Sequence, residues 1–205
     1  MNIRSLYGRV MQQVAQRGRL HVLRVFSRPL APLARSVAPP GFELRLLTPE
    51  ELFRHSRDPG LELREPMIRE TYQRGDRCLG ALAEGVLVGY VWFAYAVAPH
   101  VDGIWVKVPP RAVYRFKAFV RPSHRGRGIA AALYGFADPL VGKAGLDTVV
   151  DCVATQNLPS IAASLKSGSR PLGMLAYWRT GRRFLALHSP AVRRLGLRFY
   201  LPATI

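Results

Sequence analysis

Residues 116–132 read F-K-A-F-V-R-P-S-H-R-G-R-G-I-A-A-A, and the organisation of the chain follows from them. The stretch opens as a strand, with aromatic and β-branched residues interleaved with cations, and Pro122 ends it. Gly126 and Gly128 follow, and an alanine-rich helical pattern starts at once. A helix start leaves several backbone N–H groups without intrahelical partners, and these carry the positive end of the helix dipole. Glycines just before such a start let the backbone approach a phosphate closely, and Arg121, Arg125 and Arg127 add charge at the rim. The stretch therefore predicts a pyrophosphate cradle. It is not a P-loop, because no G-x-x-x-x-G-K-[ST] occurs. It is not a dinucleotide fingerprint either, because G-x-G is followed by I-A-A rather than x-x-G.

Outward from this stretch the elements alternate. Glu43 to Leu47 reads as a strand. Thr48-Pro49-Glu50-Glu51 reads as a helix start, with Thr48 as N-cap and Glu51 in the capping-box position. Residues 54–77 are charged and ambiguous. A hairpin is expected from Cys78–Ala83 and Val86–Val97 around Glu84-Gly85. Residues 98–111 read as an irregular connection holding His100, Asp102 and Trp105. After the strand at 112–120 and the loop comes a helix with Ile129, Leu133, Phe136 and Leu140 on one face, re-capped at Asp138-Pro139. Thr148–Ala154 reads as a strand and 158–167 as a short helix closed by Gly168. Leu172–Arg179 and Arg183–His188 read as a second hairpin around Gly181.

This order, together with two motifs, resembles the GNAT N-acetyltransferase superfamily. Arg125, Gly128 and Ala130 meet its loop pattern [RQ]-x-x-G-x-[GA]. Asn157, Ser160, Leu165, Lys166 and Gly168 fit its helix pattern N-x-x-[AS]-x-x-x-[Y]-x-K-x-G-F about 30 residues later. The resemblance covers about residues 42–188. It implies an α/β fold with a mixed, mostly antiparallel central sheet and helices on both faces. Residues 1–41 would be a basic amphipathic extension with a Pro-rich linker, and 189–205 a basic tail. The implied activity is transfer of an acetyl or other acyl group from acyl-CoA to an amine, carried by a small molecule or a protein, with no metal. In that picture the backbone of Phe119 and Val120 binds pantetheine. The N–H groups of Arg125, Gly126, Arg127, Gly128, Ile129 and Ala130 hold the pyrophosphate, and Asn157 contacts the pantetheine arm.

Two positions depart from the pattern. Many members carry a Tyr seven residues after the Asn, as proton donor to the departing thiolate; here that residue is Ser164. Ser164 shares the helix face of Asn157 and is expected to reach the sulfur. A serine hydroxyl is a much weaker acid than a phenol, so Tyr177, Tyr134 or water is expected to supply the proton, with Tyr177 the first choice because its strand follows directly on this helix. The family's Phe after Gly168 is Ser169. No general base stands out: His100, Asp102 and Asp151 are candidates by position, and each also reads as an ordinary turn or paired residue. Trp92, Phe93 and Trp105 read as core or as an acceptor pocket. A non-catalytic acyl-CoA-binding module is the alternative reading.

Composition limits the rest. Of 30 cations and 13 acids, the acids all fall between Glu43 and Asp151, where 15 cations nearly balance them. The two ends carry +15 of the net +17. Such acid-free ends suit an anionic membrane surface or an acidic carrier. Ile3, Leu6, Tyr7, Val10, Met11 and Val14 recur at helical spacing with Arg4 and Arg9 opposite, which predicts an amphipathic helix: an organellar transit peptide, a surface anchor, or a helix packing on the domain or a second copy. Nucleic-acid binding is disfavoured, because the basic residues lack interleaved aromatics. Cys78 and Cys152 lack metal-ligand spacing and suit a reducing, cytoplasmic setting. No apolar run reaches the length of a membrane span.

Overall fold

The computed structural model describes residues 20–31 and 36–202, apart from the side chain of Asp102. The helix expected over Ile3–Val14 lies outside them. In chain order the strands are β1 (Leu20–Pro29), β2 (Glu43–Leu46), β3 (Arg77–Ala83), β4 (Val86–Ala94), β5 (Val97–Pro99), β6 (Trp105–Lys107), β7 (Ala112–Val120), β8 (Thr148–Ala154), β9 (Arg170–Thr180), β10 (Arg183–His188) and β11 (Arg198–Tyr200). The helices are α1 (Pro49–His55), α2 (Glu65–Gln73), α3 (Ile129–Phe136), α4 (Asp138–Val141), α5 (Leu158–Lys166) and α6 (Pro190–Leu195).

Eight strands form one sheet in the order β10-β9-β1-β8-β7-β4-β3-β2, and β11-β6-β5 form a second, small one. Every pairing is antiparallel except β7 with β8. Leu52, Leu61 and Ile68, from α1, α2 and the turn between them, bury against Trp92, Tyr114, Tyr177 and Phe199 on one face. On the other face Ile129 and Leu133 of α3 and Ala163 of α5 bury against Val91, Phe93, Val113 and Val149. The expected mixed, mostly antiparallel sheet with helices on both faces is thus the observed fold.

Local signals place several elements where the residues put them. Thr48 caps α1 in a full capping box, its hydroxyl accepting from Glu51 N while its own N–H donates to the Glu51 carboxylate. Asp138 and Pro139 start α4 after Ala137 with no side-chain cap: the Asp138 carboxylate, expected to re-cap the helix, is instead paired with Arg28. The ambiguous stretch 54–77 supplies α2, and the connection at 98–111 supplies β5 and β6 rather than irregular chain.

Residues 20–29 of the segment set apart at 1–41, and residues 190–200 of that at 189–205, enter the fold, which corrects the boundaries read from the sequence. β1 lies inside the sheet, antiparallel to β8 on one side and β9 on the other. Its partners are more than a hundred residues away in sequence, and a Pro-rich stretch separates it from Phe42, so local pattern gave no sign of its pairing. Arg28, on this strand, forms a buried ion pair with Asp138 and donates to Tyr134 O at 2.8 Å. Asp138 also accepts from Ala31 N at 2.9 Å. In the C-terminal segment, Val192, Leu197 and Phe199 are core residues, and β11 pairs with β6.

Removing one member of a buried ion pair leaves the other charge uncompensated. Arg28→Met should therefore lower unfolding free energy by about 3–5 kcal/mol. The double variant Arg28→Met/Asp138→Leu should recover a large part of that loss. Urea denaturation measures both; a loss below ~1 kcal/mol in the single variant would mean that the pair does not anchor β1.

Candidate functional site: a fork between two parallel strands

β7 and β8 pair for four rungs, from Ala112↔Thr148 to Arg115↔Asp151, and then part. Beyond that rung β8 continues to pair with β1, while β7 continues with β4. The cause of the parting is local to β7. Lys117 takes φ 43°, and the register with β4 jumps from Trp92↔Phe116 to Tyr90↔Phe119, so Lys117 and Ala118 form a bulge opposite Val91. A bulge bends and twists its strand, turning the end of β7 away from β8. Gly89 lets β7 stay against β4 here: a Cβ at this position would sit 3.0 Å from Phe119 O and 3.2 Å from a Val120 methyl. Phe119 and Val120 therefore have one edge bonded to β4 and the other turned into the fork. Phe119 stacks on Tyr90 with ring centroids 5.6 Å apart.

At the mouth of the fork the chain makes a single turn at Pro122–His124 and enters the glycine loop. Gly126 and Gly128 have φ of 80° and 77°, a region that L side chains rarely adopt, and each opens onto free space. Gly128 caps α3 with no side-chain cap, and the first α-helical bond is Ala132 N to Gly128 O at 3.0 Å. No backbone acceptor among the described residues engages the N–H groups of residues 126–131. This is the arrangement a pyrophosphate requires. Arg125 is tied down, its Nε donating to Val120 O at 3.1 Å. Arg121 is bound to Asp58 and donates to Leu87 O at 2.9 Å. Arg127, Arg121, His124 and Phe42 line an open recess of about 680 Å³ on the loop's outer flank.

Asn157 caps α5 through its Oδ1, which accepts from Ser160 N at 3.2 Å; the residue is exposed at the β8 side of the fork. Ser164 is on the same helix but fully buried. Its hydroxyl donates to Asp151 Oδ2 at 2.6 Å and accepts from Arg115 at 3.2 Å. Arg115 and Asp151 form an ion pair at 2.7 Å, at the last rung before the strands part. The Arg115 guanidinium lies 3.6 Å from the centre of the Tyr134 ring, and Ser167 donates to Ser164 O at 2.8 Å. Asp151 is thus a paired, buried carboxylate. The Arg115 partner escaped sequence reading, although Asp151 as the one charge in the apolar run of β8 was its visible trace.

Tyr177 lies elsewhere. β1 intervenes between β8 and β9, so Tyr177 is two strands, about 10 Å, from β8. Its ring stacks on His21 at 4.6 Å and meets His100 edge-on at 5.7 Å, with Phe199 and Phe184 closing the cluster. Burial raises the phenol pKa of both Tyr114 and Tyr134, which makes each a poorer proton donor. Burial also pushes the Cys152 thiol up. Trp92 and Phe93 are core residues, while Trp105 carries the Arg74 guanidinium over its ring. Among the described residues no group of His, Cys, Asp and Glu is arranged to hold a metal ion.

The fold matches solved structures. It aligns with a GCN5-related N-acetyltransferase from Sphaerobacter thermophilus at 17% identity and TM-score 0.56, covering 80% of this chain and 53% of that one. A putative GNAT-family acetyltransferase from Novosphingobium aromaticivorans aligns at 17% identity and TM-score 0.54, covering 77% and 63%. A tandem GNAT protein from the clavulanic acid biosynthesis pathway aligns at 22% identity and TM-score 0.52, covering 85% and 57%. The chain thus spans between half and two thirds of the length of these structures. Comparison with curated proteins returned no match. The family model for the acetyltransferase (GNAT) family matches residues 44–168, from β2 through the glycine loop to the end of α5. That match covers more than half of the chain, which belongs to the GNAT acetyltransferase family.

Proposed function

We propose that the fork between β7 and β8 takes the pantetheine arm of acetyl-CoA or another acyl-CoA and that the chain transfers the acyl group to an amine. The row of unengaged N–H groups at 126–131, at the mouth of a fork whose β7 edge is also unpaired, carries this reading. The N–H groups of Gly126 to Ala130 would hold the pyrophosphate, that of Arg125, expected to join them, being bonded to Pro122 O at 3.3 Å. Phe119 and Val120 would pair with the arm's amides, and exposed Asn157 would offer its side-chain amide from the other side. The acceptor must reach the thioester as the neutral amine, since an ammonium near pKa ~10.4 has no lone pair to attack with. The acceptor is an amine-bearing small molecule or protein. Acceptor-dependent thiol release from acetyl-CoA tests catalysis; CoA binding without such release from any amine would favour a binding module.

Gly128→Glu should abolish CoA binding in calorimetry, by filling the cradle and repelling the phosphates. Gly128→Ala, which carries the same backbone strain without charge, should bind more weakly than wild type yet measurably. Undiminished affinity in Gly128→Glu would remove the site from this loop.

Ser164 serves position rather than proton transfer, because its hydroxyl proton is held by Asp151. Water entering the open fork protonates the thiolate. Ser164→Ala should lower stability by about 1.5–3 kcal/mol, through loss of a bond to a charged group. It should lower kcat by less than about tenfold, or 1.4 kcal/mol of barrier. Tyr177→Phe should also keep kcat within about tenfold; a loss in the ~10²–10⁴ range would restore the phenol as the acid.

A further inference from the structure

Helices α3 and α5 cover one face of the large sheet over β4, β7 and β8, and Ile161 of α5 reaches as far as Phe26 on β1. Beyond that, the same face of β1, β9 and β10 is a ledge. The register places its side chains in cross-strand rows. Leu20 pairs with Trp178 and Trp178 with Leu185; Val22 pairs with Ala176 and Ala176 with Leu187; Arg24 pairs with Met174. Alternation along a strand puts these residues on one side, and their neighbours Leu175, Tyr177, Phe184 and Ala186 on the other, in the core. Leu187 is 64% exposed, Leu185 57%, Met174 38%, and Leu20 and Trp178 37% each. These are adjacent apolar side chains on adjacent strands, not scattered ones, and such patches mark interaction sites.

The charge around the ledge selects the partner. β1, β9 and β10 contain no acidic residue. Arg24 lies at one end of the ledge, and Arg183, which shares the face of Leu185 and Leu187, lies at the other beside the exposed turn residue Arg182. A second copy would set these cations against one another with no carboxylate on either ledge to answer them. Nucleic acid would set Leu185 and Leu187 against phosphate. An anionic lipid surface satisfies both parts: aliphatic groups and an indole enter the interfacial layer while flanking arginines meet the headgroups. We propose that the β1-β9-β10 ledge docks the protein on anionic membrane. Among the described residues no helix is long and apolar enough to cross a membrane. This inference does not depend on acyl transfer: the ledge lies on other strands than the fork.

The full chain should co-sediment with vesicles of phosphatidylglycerol and phosphatidylcholine, and far less with phosphatidylcholine alone. Leu185→Asp/Leu187→Asp should weaken binding by about tenfold or more, an effect of roughly 1.4 kcal/mol. Its thermal melting should stay near wild type, because both side chains are exposed. Arg193→Glu/Arg194→Glu, on α6, should reduce binding only modestly, which separates docking at the ledge from general attraction of a basic chain. Brominated lipid should quench tryptophan emission in the wild type and lose most of that effect in Trp178→Phe. Wild-type binding by the Leu185/Leu187 variant, or absence of lipid quenching, would overturn the proposal. So would self-association of the wild type that this variant abolishes, since the ledge would then seat a second copy.

Discussion

The parting of β7 and β8 after the Arg115↔Asp151 rung is the constraint on which the rest of the site depends. Two parallel strands that remained paired would leave no backbone edge for a ligand. Two strands that parted freely would have no fixed geometry. Here the bulge at Lys117 and Ala118 opens the fork, and the Arg115–Asp151 pair closes its base. The pair sits under α5 through Ser164 and under α3 through the Tyr134 ring, so one buried cluster ties both site helices to both strands. The glycine loop is held at the mouth because Val120, where β7 ends, accepts from Arg125.

A buried ion pair is an expensive means of holding such a base. Both ions must leave water, and Arg115 Nε and Asp151 Oδ1 find no partner in the described structure. An apolar pair of similar volume could stabilise the fold equally well. What the charged pair adds is direction: the guanidinium fits only where carboxylate, hydroxyl and ring meet at once, which fixes the register at which the strands separate. Arg28 and Asp138 repeat the device at the far end, fixing β1 against α3 and α4.

The loop and its helix were legible in the sequence because their determinants are local. Gly126, Gly128 and the following alanines state their backbone demands within seven residues, and Thr48 and Glu51 do so within four. What lay hidden was set by pairing at long range. His21–Phe26 is as apolar as a strand should be, but nothing near it reveals that its partners are Asp151–Ala154 and Pro171–Tyr177. That insertion is what sets Tyr177 two strands from β8, so the proximity expected of it from chain order does not hold. Likewise the charges of Arg115 and Asp151 are each plain in the sequence, whereas their meeting needs the parallel register of two strands 36 residues apart.

The serine at position 164 follows from the same cluster. In the family pattern this position carries a tyrosine whose hydroxyl reaches the ligand. Here the side chain is fully buried between Asp151 and Arg115, with Ser167 below and the Arg115 guanidinium already stacked on Tyr134. A phenol ring would need the volume the guanidinium occupies, and its hydroxyl would extend past the carboxylate that Ser164 satisfies. A tyrosine at position 164 would therefore have to displace Arg115 or Asp151, which lie at 3.2 and 2.6 Å from the serine hydroxyl. The chain keeps the arginine, and with it a fixed base for the fork.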